Sequence, residues 1–189
     1  MKQQMTAVLG VSVLAAGLGG CAATGLTPEA YEITQAECAA TVAHLSNTEP
    51  EFDGLMSQSV GYAVFPGEFS GLMYFVGGAG SDGLVFDQSG DVVGYSRHAR
   101  INLGIGSFGQ YSDHVIFFPD QASMDSFKEG GWSVGGETGI GILGLAASGQ
   151  TSLTEDHEFV SDPRSGGGLG AYFTFDNYSY NDIQTALSE

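Results

Sequence analysis

Hydrophobic and polar positions change rhythm twice along the chain. Residues 5–18 form an apolar run broken only by Thr6, Ser12 and small residues. Further on, Tyr31, Cys38, Val42 and Leu45 recur at helical spacing and share one face, the pattern of a helix with a buried stripe. Thr27-Pro28-Glu29 supplies its start: a hydroxyl cap, proline at the first helical position and an acid in the first turn. This predicts a helix over residues 28–45, with Cys38 buried as a small apolar residue, followed by a loop over 47–54. From Ser59 onward, short β-branched and aromatic runs alternate with Gly, Asp and Ser, which reads as strands.

The expected strands are 62–65, 72–76, 84–86, 92–96, 100–103, 115–118, 132–134, 158–160 and 171–175. Asp87-Gln88-Ser89-Gly90-Asp91 is the clearest hairpin connection, because Gly90 can take the positive φ that other residues resist. One internal helix is expected between Pro119 and Gly130, capped by Asp120, with Met124 and Phe127 on one side and Gly130 ending it. A last short helix is expected over 181–187, and residues 139–149, rich in Gly and Ala, fit either a strand or a loop. The expected class is α+β, mainly β: a single glycine-rich antiparallel domain, a curved sheet or barrel-like, with an N-terminal helix and one short internal helix.

Composition changes the picture at the N-terminus first. The run over 5–18 follows Lys2 and suits a signal-peptide core better than a bilayer span, which needs about 20 apolar residues. It ends in Leu18-Gly19-Gly20-Cys21, which resembles the lipobox of bacterial lipoproteins. The expected division is a leader over 1–20, a lipidated tether over 21–26 and one domain over 27–189 with its core at 55–180. Cys21 becomes the acylated first residue. Ala22 follows it, not the Asp of inner-membrane-retained lipoproteins, which favours the outer membrane. With Cys21 acylated, Cys38 has no intramolecular disulfide partner, so packing must hold this exported fold together.

Formal net charge is −17. Beyond the leader the only basic side chains are Arg97, Arg100, Lys128 and Arg164. Such a field repels phosphates and anionic headgroups, so nucleic acid is excluded as a partner; adaptation to a salty medium explains the excess of acids.

Three segments match the dinucleotide fingerprint, starting at Gly78, Gly104 and Gly139. A phosphate site needs a helix to open at the last glycine, whereas Leu84-Val85-Phe86 follows the first match as a strand. Close packing or curvature accounts better for such glycines. Asp87, Ser89 and Asp91 start like a calcium loop but lack its sixth-position glycine and twelfth-position Glu. His44, His98, His114 and His157 stand singly, without zinc spacing. No metal and no cofactor are expected. Arg97-His98-Ala99-Arg100 is the one concentration of positive charge. Strand alternation leaves His98 and Arg100 as a same-face pair, the candidate ligand-binding residues for a phosphate or carboxylate; pairing with the protein's own carboxylates is the competing and preferred assignment.

Ser59-Val60-Gly61-Tyr62-Ala63-Val64-Phe65-Pro66, then Gly77-Gly78-Ala79-Gly80 into Gly83-Leu84-Val85-Phe86, resembles the opening of the SYLF-domain family. Val115-Ile116-Phe117-Phe118 before the 120–128 helix, then Gly130-Gly131-Trp132-Ser133-Val134-Gly135-Gly136, is similar to its central segment, and Gly168-Leu169-Gly170-Ala171-Tyr172-Phe173 to its closing strand. The similarity covers roughly residues 55–180. It implies a lipid- or membrane-associated binding module, not an enzyme. Phosphoinositide and actin binding, known for eukaryotic members, call for basic surface that this chain lacks, so neither is expected. The expectation is a non-enzymatic outer-membrane lipoprotein facing the periplasm, held by acyl chains on Cys21, its domain binding lipid; the alternative is an envelope scaffold for a protein partner. A hydrolase built around His98, His114 or His157 is the least favoured alternative.

Overall fold

The computed structural model describes residues 26–142, 145–152 and 158–188. The leader and Cys21 lie outside the described residues. The N-terminal helix α1 spans Pro28–Thr48, with Thr27 accepting from the Ala30 amide at 3.2 Å as its cap. Thr34, Cys38, Thr41 and Leu45 form its buried stripe. The loop expected over 47–54 is shorter: α1 runs to Thr48, and a second helix, α2, occupies Phe52–Gln58. The cause is Phe52, which is drawn fully into the core edge-on to Phe117, ring centroids 5.3 Å apart.

Five antiparallel strands follow: β1 Gly61–Asp87, β2 Val92–Phe118, β3 Gly131–Ile142, β4 Leu145–Ser152 and β5 Glu158–Asp182. Their order in the sheet is β1-β2-β5-β3-β4. The sheet is curved and not closed. The nine short strands expected from sequence are thus segments of fewer, longer ones. Three fuse into β1, three into β2 and two into β5, because most intervening glycines stay in the ladder, as in Gly71↔Gly109 and Gly78↔Ile101. Gly90, at φ 86°, does turn the chain where expected, and the Asp87 side chain accepts the amides of Ser89 and Asp91. Residues 139–142 and 145–149 belong to the β3–β4 hairpin. The internal helix α3, Gln121–Glu129, carries the expected Asp120 cap as a full capping box with Ser123, and Gly130 ends it at φ 71°. A final turn, α4, covers Ile183–Ala186.

Strand β1 folds back over itself. A methyl group at Gly83 would collide with the Val64 carbonyl oxygen and the Phe65 ring, and one at Gly77 with the backbone of Gly71 and Leu72; both positions need a residue without a side chain. The fold-over centres on Tyr74, a non-glycine residue at φ 62° beside a shift in the β1–β2 register. That left-handed conformation costs about 1–2 kcal/mol, so packing on either side must hold it.

Two apolar layers result. Outside the fold-over, α1, α2 and α4 cover Val64, Leu84, Phe86, Tyr95, Val115 and Phe117 with Cys38, Leu45, Phe52 and Ile183. Inside it, Ala63, Phe65, Val85, Ile116 and Phe118 pack against Met124 and Phe127 of α3. Cys38 donates to the Val64 carbonyl at 3.6 Å, and burial pushes its thiol up to about 12, which makes it inert as a nucleophile. Above the inner apolar layer, toward the bend, the interior turns polar.

Candidate functional site

Alternation along β2 puts Ser96, His98, Arg100 and Asn102 on the inner face, all buried, and turns Arg97 to the other side. There Arg97 pairs with Asp82 at 2.9 Å. The same-face relation of His98 and Arg100 is therefore as expected. Their anions come from this chain: Glu68 of β1 and Asp176 of β5. His98 Nδ1 meets Glu68, and its Nε2 lies 2.7 Å from Asp176. Arg100 Nε donates to the same Asp176 oxygen at 2.6 Å, with its Nη1 3.9 Å from Glu68.

Both ring nitrogens of His98 face ionised carboxylates, which only accept, so both must carry a proton. The imidazolium and the Arg100 guanidinium then balance the two carboxylates. Burial disfavours the charge on His98, but the Glu68 charge and the hydrogen bonds to Asp176 and Glu68 hold its pKa above the usual value. Burial would raise Glu68, yet the charge and hydrogen bond of His98, with Arg100 and His114, bring it to about 2. Asp176, against the same burial, is held well below the carboxylate range by the His98 hydrogen bond and the Arg100 charge.

An aromatic wall seals this quartet. Tyr178 stacks on His98 at 4.4 Å and 11°, and Phe65 packs 5.5 Å from Tyr178. His114 lies 5.7 Å from the His98 ring, with the Tyr178 hydroxyl within hydrogen-bond distance of its Nε2 at 3.4 Å. Burial lowers His114 to about 4 despite the opposing pull of Glu68. Neighbouring polar groups join in: Ser81 donates to Glu68 at 3.3 Å, and Asn102 to the Gly71 carbonyl at 2.9 Å.

Chemically, this cluster is a sealed ion network. Glu68 and His98 are each 1% exposed. A doubly protonated imidazole between two carboxylates has no lone pair with which to act as a base. His157, the third histidine considered for hydrolysis, lies outside the described residues. The first two fingerprint matches fall inside β1 and β2, so that no helix opens at their last glycines, Gly83 and Gly109; the third spans residues 143–144, outside the described residues. Glu68, Asp176 and Tyr178 were absent from the sequence candidates, since their partners lie far along the chain: 30 residues separate Glu68 from His98 and 78 separate His98 from Asp176.

The outer surface at the bend is the second feature. Met73, Tyr74, Phe75, Val76 and Ile105 are 61% to 73% exposed, and Leu103 and Phe69 also face outward. The ladder gathers them, pairing Tyr74 with Gly106 and Val76 with Leu103. The run 72–76, read from sequence as one strand, buries Leu72 alone. Four consecutive apolar side chains in water, backed by two more on the neighbouring strand, mark a contact surface.

Protein-family models, curated proteins and solved structures contain no match to this chain.

Proposed function

We propose that this chain is a non-enzymatic envelope lipoprotein, held to the outer membrane by acyl chains on Cys21, whose periplasm-facing β domain is a SYLF-like lipid-binding module. The observation that carries the reading is the uncovered apolar surface Met73-Tyr74-Phe75-Val76 with Leu103 and Ile105. Its area favours a lipid surface through burial and asks for no positive charge, at about 25 cal/mol per Å². That suits a chain of net charge −17, for which recognition of phosphoinositides or actin has no electrostatic basis.

Division of labour supports the same reading. Each buried methylene of an acyl chain contributes ~0.8 kcal/mol, so two or more chains on Cys21 hold the protein without help from the domain. The domain is free to be acidic. The buried network serves this role as a frame: it ties β1, β2 and β5 together beneath the bend that carries the apolar surface.

Mass spectrometry of the N-terminal peptide from the membrane-extracted protein tests the anchor, and lipid extraction of the same sample tests the module. The expected result is Cys21 as the first residue bearing acyl groups, with phospholipid retained by the folded protein. An unprocessed N-terminus with a free Cys21 thiol, or a folded protein that retains no lipid, would contradict it.

A further inference from the structure

Charge is scarce across the described bent end of the sheet, not only at its exposed apolar residues. No Asp, Glu, Lys, Arg or His occurs over residues 69–81, 101–112, 138–154 or 165–175. The register brings these stretches side by side: Phe69 pairs with Tyr111, Tyr111 with Ser165, Ile101 with Phe175, and Ile140 with Leu169. The β3–β4 hairpin lies in the same belt, as far as its described residues go. In a chain with 22 acidic residues, this end is thus nearly free of them, Glu137, opposite Tyr172 and Gln150, being the exception among the described residues.

On β1, β2 and β5 much of the margin of the belt is neutralised as well. Glu68, Asp82, Asp113 and Asp176 border it, and three of the four basic side chains beyond the leader are spent there: Arg97 on Asp82, Arg164 on Asp113, and Arg100, with His98, on Asp176 and Glu68. Most of the other acids lie on or beside α1, α2 and α3 and in the Asp87–Asp91 turn, with Glu158, Asp162 and Asp182 on β5 outside the 165–175 stretch and Glu137 on β3. A domain exposed only to water has no use for this segregation. A low-dielectric neighbour does, since a charge in the hydrocarbon costs about 2.5–3.5 kcal/mol even on the more lenient scales.

Resting on the lipid-binding reading above, we infer that the bent end of the sheet inserts into the headgroup–acyl boundary of a phospholipid bilayer whose headgroups carry no net negative charge. Depth is limited by the backbone. β1 is an edge strand, and unpaired edge groups are not tolerated in hydrocarbon, so penetration stays at the roughly 5–10 Å of interfacial elements. A second copy is the poorer occupant: its charge of −17 repels its twin, and the left-handed kink at Tyr74 interrupts the edge that a second β1 would have to pair with.

Tether geometry adds an orientation. The Leu26 amide bonds the Ala186 carbonyl, and α4 follows the Gly94↔Asp182 pair, at the end of the sheet away from the bend. From Gly94 to Gly104 the strand covers roughly 33 Å, whereas residues 22–26 reach at most ~17 Å. Insertion into the bilayer that holds Cys21 therefore lays the long axis of the domain along the membrane.

The test uses the full acylated chain in phosphatidylcholine vesicles, with Trp132→Phe removing the single native tryptophan. Tryptophan is placed at Phe75→Trp or Ile105→Trp in the bend, both exposed, and at exposed Gln88→Trp in the far turn. Circular dichroism verifies folding, and two bend reporters guard against failure of one. Brominated acyl chains are expected to quench and unbrominated ones to blue-shift the bend reporters, leaving Gln88→Trp unaffected. Vesicle-bound, acylated protein whose bend reporters are unquenched overturns insertion while leaving the anchor intact; unquenched reporters with cross-linked dimers assign the surface to a second copy and overturn it too. Unacylated protein that still floats with quenched bend reporters upholds insertion and removes the anchor. Protein that neither floats nor is quenched overturns both.

Discussion

Asp176→Ala is expected to destabilise the domain by about 3–5 kcal/mol, the cost of stranding a buried charge by removing its partner. The carboxylate takes hydrogen bonds from Arg100 at 2.6 Å and His98 at 2.7 Å. Without it, the buried guanidinium keeps only Glu68, at 3.9 Å, and His98 loses one of the two acceptors that keep it protonated. Total stabilities of domains run at about 5–15 kcal/mol, so the loss is a large share. Asp176→Asn keeps an oxygen acceptor and should cost less. Asp82→Ala is the contrast: it breaks the Arg97 pair at a similar distance but on an exposed site, where such pairs contribute about 0–1 kcal/mol. Urea unfolding of the three variants checks the ranking. Similar midpoints for Asp82→Ala and Asp176→Ala would show that the cluster is not sealed from water.

Stability should peak near pH 6.5 and fall on both sides. On the acid side His114 acts first: its folded pKa of about 4 lies below the ordinary 6.5, so the unfolded chain takes up the proton first and stability drains between those values. The shift corresponds to about 3 kcal/mol. Glu68 continues the loss. Its contribution is complete above the ordinary 4.5 and is lost as pH falls through about 2, with Asp176 acting in the same direction. On the alkaline side His98 has the opposite sign: its pKa is raised in the folded protein, so its contribution is complete below 6.5 and is lost as pH rises through the folded value. Unfolding midpoints from pH 3 to pH 9 should trace this dome, and His114→Phe should flatten the limb between 6.5 and 4. A profile level across that interval would remove His114 from the account.

Local chemistry made the helices and the tight turn legible. Thr27, Asp120 and Gly130 act through neighbours three or four residues away, and the Asp87 turn is closed by its own side chain. Strand lengths were not legible in the same way, because a glycine inside a ladder and one in a turn look alike in sequence; Gly71 pairs where Gly90 turns. The α2 helix was hidden by Pro50 and the acids before it, while the decisive contact, Phe52 on Phe117, is long-range.

The site was half legible. Alternation separates Arg97 from His98 and Arg100, and an excess of carboxylates favours internal pairing, but which acids arrive depends on β1 folding back and β5 crossing beside β2. The exposed end was masked for a different reason. A continuous run such as Leu72-Met73-Tyr74-Phe75-Val76 has no period from which to tell its buried face, and only the bend at Tyr74 turns four of those side chains outward.

Hydrogen exchange of the acylated chain on phosphatidylcholine vesicles, compared with the Phe75→Ser/Ile105→Ser double variant, most directly tests whether the bent end is the lipid-contacting surface. Amides over residues 69–81 and 101–112 are predicted to be protected in the parent chain and to lose that protection in the variant, with α1 and α3 unchanged. Equal exchange at the bend in both proteins, with both still bound to the vesicles, would contradict the account.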